Sequence, residues 1–278
     1  MSENEFYEKV RESLQKKYRR SITGKFNKAL KVYKLVNAGD RVAVCVSGGK
    51  DSWLTAVLFK ELQKYSDVPF DVEYIVMDPG YAPENRRLIE KNAKRLGIPV
   101  HIFESSIFDA VHEVPKSPCY LCARMRRGYL YSFARELGCN KIALGHHYDD
   151  VIETTLMGML YGAQVQGMMP KLHSTNFPGM ELIRPLYFVR EADIISWRDY
   201  NGLEFLRCAC RFTEQSEIDE DLSKRKEIKT LISTLKLTHP DVEKCIFKSL
   251  ENVNIDTVLA YKTGGRKHNF LDTYDKKK

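Results

Sequence analysis

The feature that most constrains this chain is a short polar loop, Ser47-Gly48-Gly49-Lys50-Asp51-Ser52, between two apolar segments. Residues 42–46 before it have the composition of a buried strand, and residues 53–59 after it begin a helical pattern. Paired glycines let the backbone turn sharply and present N–H groups, and a helix N-terminus favours anions. The sequence therefore predicts a strand, a phosphate-binding loop and a helix in succession.

The loop differs from the GxxxxGK[ST] phosphate-binding loop, because its glycines are paired and Lys50, Asp51 and Ser52 follow at once. It resembles instead the SGGxDS loop of the N-type ATP pyrophosphatases, the PP-loop enzymes. That resemblance implies a HUP-like nucleotide-binding fold. It also implies cleavage of ATP between its α and β phosphates, with transfer of AMP to a carbonyl oxygen.

Short apolar runs alternate with helical patterns through the first half of the chain. We predict strands at 42–46, 70–77, 100–103 and 141–144, separated by helices. This alternation is typical of a doubly wound, mostly parallel α/β sheet, in which ligands bind beyond the carboxyl ends of the strands. Met77 ends the second predicted strand and is expected at the nucleotide site. Residues 158–180 carry several glycines and prolines and predict a long loop.

Three segments are predicted. They are a basic helical N-terminal extension (1–38), a nucleotide-binding and catalytic domain (39–212), and a helical C-terminal extension with a frayed tail (213–278). The formal charge is +7, and the N-terminal extension concentrates lysine and arginine on amphipathic helices. An acidic polymer such as RNA is therefore a candidate partner, and a solvated helix face is the alternative.

The chain has 278 residues, 43% of them hydrophobic, which is enough to bury a sizeable core. No apolar run approaches the length of a membrane span, and no secretory signal pattern opens the sequence. We therefore expect a cytoplasmic protein with no membrane partner. The seven cysteines are then expected to be thiols or metal ligands rather than disulfides.

A second polar stretch, Gly145-His146-His147-Tyr148-Asp149-Asp150, lies where the fourth predicted strand leads into a helix. Carboxylates at such a position are hard oxygen ligands that suit Mg²⁺, which ATP activation requires. Helix capping is the alternative role for the two aspartates. The stretch resembles the GHHxDD signature of the tRNA thiolation enzymes among the PP-loop proteins. The resemblance implies that Asp51 and Asp150 serve ATP, Mg²⁺ and adenylation, with Lys50 and Gly145 beside them.

Two pairs of cysteines stand apart from the rest. Cys119 and Cys122 form a CxxC immediately before a predicted helix, and Cys208 and Cys210 lie far downstream. Such pairs can converge on one metal, and the residues alone leave two arrangements open. Four thiolates would close a Zn²⁺ site, whereas three would leave one iron of a [4Fe-4S] cluster open. The remaining cysteines are predicted to be small buried hydrophobes: Cys45, Cys139 and Cys245.

Several further segments, 119–128, 142–150, 167–172 and 183–186, resemble the tRNA 2-thiocytidine synthetase family. The resemblance implies a [4Fe-4S] cluster held by the CxxC thiolates and one later cysteine, for which Cys208 is the best match. This chain departs from the family by having CxC there, so Cys210 is the alternative third ligand. Contacts to RNA or to the adenylate phosphate are predicted for the basic side chains Arg124, Arg126, Arg127 and Lys171, with His173 and Arg211 extending the basic rim.

The reaction implied by this resemblance is the adenylation of the C2 oxygen of cytidine 32 in the tRNA anticodon loop, followed by its replacement with sulfur. Its cofactors and substrates would be a [4Fe-4S] cluster, ATP, Mg²⁺ and tRNA. A sulfur donor, either a cysteine desulfurase or free sulfide, and a homodimer are also implied. The alternatives are a 2-thiouridine synthetase or lysidine-synthetase-like ligase with structural zinc, and a non-catalytic RNA-binding module.

Overall fold

The computed structural model describes residues 2–105, 118–206 and 220–274. Its main sheet has six strands in the order β3-β2-β1-β4-β6-β5, and β5 alone runs antiparallel to its neighbour. The strands of this sheet are β1 (Arg41–Cys45), β2 (Asp71–Asp78), β3 (Val100–Glu104), β4 (Lys141–Ala143), β5 (Lys171–His173) and β6 (Glu181–Ile183). The predicted mostly parallel α/β sheet is confirmed.

Helices connect these strands and extend both ends of the described chain. They are α1 (Glu3–Gln15), α2 (Gly24–Tyr33), α3 (Lys50–Tyr65), α4 (Pro83–Leu96), α5 (Pro118–Glu136), α6 (Tyr148–Leu160), α7 (Glu191–Tyr200), α8 (Glu220–Thr238), α9 (Val242–Ser249) and α10 (Leu271–Tyr274). One π-helical turn, Arg19–Thr23, joins α1 to α2. The N-terminal helices of the prediction are therefore present, and the division of the chain at residues 38 and 212 stays a prediction.

Alternate residues of the central strands face opposite sides of the sheet. Val42 and Val44 of β1 belong to the larger apolar core, whereas Ala43 and Cys45 belong to a second core on the other face. A strand buried on both faces reads as a continuous apolar run, which explains why β1 was visible in the sequence. Within the described ranges, no helix has the length and apolar character to cross a membrane.

The strand order reverses between β1 and β4. Consecutive strands spread from β1 to β2 and β3 on one side, while β4 pairs with the other edge of β1. The crevice at such a switch point is the usual ligand site of an open α/β sheet. The loops that follow β1 and β4 are the two polar stretches singled out in the sequence, so the topology brings them side by side.

Two parts of the chain differ from the sequence prediction. The stretch predicted as a long loop contains β5, which pairs with β6 and closes the sheet edge. The C-terminal extension, predicted as helical, also holds a separate antiparallel hairpin of β7 (Ala260–Thr263) and β8 (Arg266–Asn269). Strands β5, β7 and β8 are too short and too polar for an alternating apolar pattern to be visible in the sequence.

The buried side chain of Lys141 in β4 contacts β6 and the segment between α2 and β1. The ammonium of Lys141 lies 2.9 Å from carboxylate oxygens of both Asp40 and Glu181, and it donates to the carbonyl of Leu35 at 2.9 Å. The Lys141 side chain is only 5% exposed. Among the described residues, Lys141 is the one cation paired with Asp40, whereas Glu181 also lies 3.9 Å from the ammonium of Lys171.

We expect Lys141→Met to lower the free energy of unfolding by about 3–5 kcal/mol, because the buried carboxylate of Asp40 loses its cation and Glu181 keeps only the longer contact with Lys171. Urea unfolding followed by circular dichroism measures this. Lys64→Met, at a half-exposed lysine, is the matched control. A loss below about 1 kcal/mol for Lys141→Met would show that water or rearrangement compensates these charges.

Candidate functional site

The loop after β1 has the geometry of a phosphate cradle. Gly48 has φ +88°, and a Cβ on it would lie 2.5 Å from the Leu206 side chain, so only glycine fits. The hydroxyl of Ser52 accepts from the N–H of Ser47 at 3.1 Å and donates to the carbonyl of Gly49 at 2.8 Å, which closes the turn. Gly49 is the N-cap of α3 and offers no side-chain cap. The first N–H groups of α3 are thus available to an anion.

The loop after β4 is held by a reciprocal cap at the start of α6. The His147 ring Nδ1 accepts from the N–H of Asp150 at 3.4 Å, and the Asp150 carboxylate accepts from the N–H of His147 at 3.0 Å. Asp149 points elsewhere, accepting from the N–H of Glu191 at 2.7 Å and lying 2.9 Å from Arg190. Asp150 therefore combines a capping bond with a place at the site, and Asp149 has a structural role.

The two loops touch each other. A Cβ on Gly145 would lie 2.8 Å from the backbone of Asp51, so glycine is needed for this close approach. The Nε2 atom of His147 lies 3.8 Å from Oδ1 of Asp51, and its Nδ1 faces Asp150. The two aspartates predicted to bind magnesium thus flank one imidazole.

A cleft of about 440 Å³ opens between the loops, a size that fits the nucleotide-sized pockets of enzymes. Its walls include eight of the residues that the sequence assigned to nucleotide and phosphate: Ser47, Asp51, Ser52, Met77, Arg126, Arg127, Gly145 and Asp150. Gly48, Gly49 and Lys50 belong to the same loop and helix start but are not part of these walls. His146 and Cys45 also line it. The sheet topology therefore assembles residues that lie a hundred positions apart in the chain.

Two buried polar atoms in the cleft have no hydrogen-bond partner among the described residues, namely Oδ1 of Asp51 and Nδ1 of His146. Burial raises the pKa of Asp51, and neighbouring His147 and Lys50 only partly offset that effect. Burial would also raise the pKa of Asp150, but His147, His146 and the bond from the His147 N–H outweigh it and lower the pKa. Burial lowers the pKa of His146 to about 4, so its ring is neutral near pH 7.

These carboxylates fit a magnesium ion bound together with a nucleotide. Mg²⁺ in such sites is held by one or two carboxylates, with water and phosphate oxygens completing its shell. Asp51 offers a buried oxygen that lacks a donor, and Asp150 keeps its charge. Among the described residues, no group of three or more His, Cys, Asp or Glu side chains forms a closed metal cage.

The structure adds cationic and acidic residues that the sequence analysis missed. Lys50 lies 3.1 Å from Asp51 and 3.0 Å from Glu191 of α7, and Glu191 in turn pairs with Lys229 of α8 at 3.0 Å. Arg225 of α8 lies 3.0 Å from Asp150. Helix α8 therefore contacts Asp150 directly and reaches Lys50 only through Glu191. Nothing in its sequence sets α8 apart from an ordinary charged helix.

The other predicted residues lie in different places. Lys171 is outside the cleft, at the sheet edge, where it donates to the carbonyl of Lys34 at 3.2 Å. Cys119, Cys122 and Arg124 belong to the first turns of α5, and their side chains lie outside the described part of the structure. Cys208, Cys210 and Arg211 lie outside the described residues.

The three cysteines without an assigned function differ in burial. Cys45 and Cys139 are buried, as predicted, and burial raises the pKa of each thiol. Cys245 is exposed, so its predicted burial was wrong. The reason is rotation around α9, which buries Phe247 and leaves Cys245 on the outer face.

Glu191 gives the site an acid-sensitive ion pair. Burial would raise its pKa, but hydrogen bonds from Lys229 and Lys50 outweigh burial and lower the pKa to about 2 from the ordinary 4.5. A lowered pKa stabilises the fold fully above the ordinary value, and that stabilisation is lost as the pH falls toward the folded value.

The stability advantage of the wild type over Glu191→Gln is therefore expected to be largest near neutral pH. It should shrink steadily as the pH falls from about 4.5 toward 2. Urea titrations of both proteins across this range test the expectation. A difference that stays constant over the range would contradict the ion-pair assignment.

The comparisons with known proteins agree with this geometry. A family model described as the PP-loop domain matches residues 16–211. A "tRNA-cytidine(32) 2-sulfurtransferase" of Citrifermentans bemidjiense is 34% identical over 237 residues, covering 84% of this chain and 90% of the relative. A protein of the same name from Pseudomonas entomophila is 36% identical over 247 residues, covering 86% and 85%.

Among solved structures, the "U34-tRNA thiolase NcsA from Methanococcus maripaludis with its [4Fe-4S] cluster" superposes with a TM-score of 0.64. It is 22% identical and covers 83% of this chain and 79% of its own, which supports the fold. The domain match and the sequence relatives extend over most of the chain. The chain therefore belongs to the PP-loop domain family and, within it, to the tRNA-cytidine(32) 2-sulfurtransferase family.

Proposed function

We propose that this protein is an ATP-dependent tRNA sulfurtransferase that replaces the C2 oxygen of cytidine 32 with sulfur. One observation carries the proposal. The helix that bears Cys119 and Cys122 also places Arg126 and Arg127 in the wall of the cleft formed by the two phosphate-site loops. The helix that carries the predicted cluster cysteines thus also contributes to the wall of the predicted nucleotide site.

The first half of the reaction follows from the loops. The N–H groups at the start of α3 and the Lys50 ammonium bind the leaving phosphates, and Asp51 and Asp150 would hold Mg²⁺, which would offset phosphate charge when bound. The C2 oxygen of cytosine attacks the α phosphorus, forming an O–P bond while the bond to pyrophosphate breaks. Arg126 or Arg127 compensates the charge that develops on the α phosphate. Pyrophosphate then leaves, with Lys50 and the N–H groups of α3 compensating its charge.

Adenylation makes replacement of the oxygen possible. Hydroxide is a poor leaving group at C2, whereas AMP is a good one, so a sulfur nucleophile can displace AMP at that carbon. Because the target base must leave its stack to enter the cleft, an unpaired loop nucleotide is the fitting substrate. Neutral His146 at the cleft wall adds no charge that would compete with these steps.

A [4Fe-4S] cluster held by Cys119, Cys122 and Cys208, with Cys210 as the alternative third ligand, would supply the sulfur chemistry when bound. The first two cysteines fit this role, because a three-residue spacing within the continuous helix α5 puts them on one turn. We further propose a cysteine desulfurase or free sulfide as the sulfur donor, a cytoplasmic location and a homodimer.

The fate of the C2 oxygen tests the adenylation step. In tRNA whose cytidines carry ¹⁸O at C2, turnover with ATP should release AMP that contains one ¹⁸O, together with pyrophosphate. ADP and phosphate as products, or AMP with no label while the base is thiolated, would contradict attack of the C2 oxygen on the α phosphorus.

The outer partner of Asp150 gives a further prediction. Arg225 donates to Oδ1 of Asp150 and also to the deeply buried Glu153, both at 3.0 Å, so it fixes the orientation of the metal-binding carboxylate. We expect Arg225→Gln to raise the Mg²⁺ concentration that gives half-maximal AMP formation by about 10- to 100-fold. This is the usual loss of metal affinity when a partner of a metal-binding carboxylate is removed.

Two variants accompany this measurement. Arg225→Lys keeps the cation and should recover part of the Mg²⁺ affinity. Lys236→Gln removes another α8 ion pair, the 2.8 Å contact with Glu243, and should leave the Mg²⁺ dependence unchanged. An unaltered Mg²⁺ titration for Arg225→Gln would show that Arg225 only holds α8 against α6 and does not orient Asp150 for metal binding.

A further inference from the structure

We propose that a groove formed with the C-terminal hairpin, outside the catalytic cleft, binds the RNA substrate. The inference rests on the proposed function only for the identity of the polyanion. We call this surface the hairpin groove. It has a volume of about 980 Å³ and lies between the hairpin β7–β8, the segment that follows α9 and the loop 163–170.

The hairpin places like charges opposite each other. Its turn, Gly264-Gly265, has φ +56° and +76°, as a tight two-residue hairpin requires. In the resulting register Lys262 pairs directly with Lys267, and both line the groove. Directly opposed like charges destabilise a strand pair. An anion bound between the two ammonium groups would remove that repulsion.

The rest of the groove suits a nucleic acid chain. Lys171 adds a third ammonium to the lining, against the single carboxylate of Glu251. Among the described residues, neither Lys262 nor Lys267 has an ion pair with an acidic side chain. The opposite wall exposes apolar side chains, with Val165 72% and Met169 60% exposed. A polyanion with flat apolar bases complements such a surface better than a second basic protein would.

An aromatic pair offers a stacking platform at the edge of the groove. The rings of Tyr261 and His268 lie on one face of the hairpin, 4.9 Å apart and 17° from parallel. Tyr261 lines the groove and is 38% exposed. Aromatic rings beside phosphate-binding cations are the usual arrangement for holding unpaired nucleotides.

Arg184 connects the hairpin groove to the catalytic cleft. Its guanidinium donates to the carbonyl of Met169 and its N–H donates to the carbonyl of Pro170 at 2.9 Å, and both of those residues line the groove. Arg184 directly follows Ile183 of β6, whose carbonyl accepts from the N–H of Leu144, a residue of the cleft wall, at 3.0 Å. An RNA bound in the groove is therefore held next to the cleft that its target base enters.

The test is the salt dependence of tRNA binding by the full chain, measured by fluorescence anisotropy. The double variant Lys262→Ala/Lys267→Ala should bind unmodified tRNA roughly 20-fold more weakly at about 0.15 M salt. The slope of log K against log salt should fall by about 1.5, because two phosphate contacts no longer release counterions. Tyr261→Leu should weaken binding about tenfold without changing the slope.

The controls separate this inference from the proposed function. Lys64→Ala/Lys91→Ala removes two exposed lysines outside the groove and should change neither affinity nor slope. At saturating tRNA, the hairpin variant should keep the wild-type rate of AMP formation and show only a raised KM for tRNA. If the wild type binds tRNA through the hairpin yet thiolates nothing, the groove stands and the proposed reaction fails.

Two results would contradict RNA binding in the hairpin groove. One is an unchanged tRNA affinity and salt slope in the folded Lys262→Ala/Lys267→Ala variant. The other is a change in oligomeric state of that variant with unaltered tRNA binding, which would assign the hairpin to a protein interface.

Discussion

Asp51→Asn is expected to reduce the rate of AMP formation by about 10²- to 10³-fold, because it removes the charge that we propose holds Mg²⁺ against the phosphates in the transition state. The carboxylate of Asp51 has one oxygen buried with no hydrogen-bond donor among the described residues, and its other oxygen faces Lys50. The amide keeps the shape of the side chain, so the fold should not change. Quenched-flow assays of AMP and pyrophosphate with saturating ATP measure the effect.

Asp149→Asn is the matched control for this prediction. Asp149 sits near the same imidazole but is engaged by Arg190 and the N–H of Glu191. Its replacement should lower stability and leave the chemical step within about tenfold of the wild type. Equal losses of rate in the two variants would show that the structure does not separate a metal-binding aspartate from a structural one.

The second large effect concerns the cysteines. Cys119→Ser and Cys122→Ser should each abolish thiolation and remove the cluster, which anaerobically purified wild type should contain at about four iron and four sulfide per chain. Cys208→Ser should do the same, and Cys210→Ser should retain the cluster. Cys245→Ser, at an exposed cysteine with no assigned role, should behave as wild type.

Metal analysis distinguishes the alternatives. Loss of iron with Cys210→Ser and its retention with Cys208→Ser would exchange the third ligand. Stoichiometric zinc with no acid-labile sulfide, after anaerobic reconstitution as well, would contradict the cluster and favour a ligase with structural zinc.

The parts of the site that the sequence predicted are those that one short segment determines. The loop at Ser47–Ser52 was predictable because paired glycines, a buried strand and a helix start occur consecutively. The stretch ending at Asp150 was predictable for the same reason, and the α/β alternation then placed both loops at the edge where β1 and β4 lie side by side.

The parts that the sequence did not predict depend on distant packing. Glu191, Arg225 and Lys229 reach the site from helices whose charges look like those of any exposed helix. Only the hairpin register shows that Lys262 and Lys267 lie opposite each other, and the local strand propensity of these short polar segments is weak. The sequence could not decide whether Asp150 caps a helix or belongs to the site, because the same side chain caps α6 and lines the cleft.

The most direct test of the proposed function is mass spectrometry of nucleosides from tRNA incubated anaerobically with the cluster-loaded protein, ATP, Mg²⁺ and sulfide. We predict 2-thiocytidine at position 32, formed only with ATP and accompanied by one AMP and one pyrophosphate for each sulfur inserted. No thionucleoside at all, or thiouridine in place of thiocytidine, from a protein with its full complement of iron and sulfide would contradict the proposed reaction.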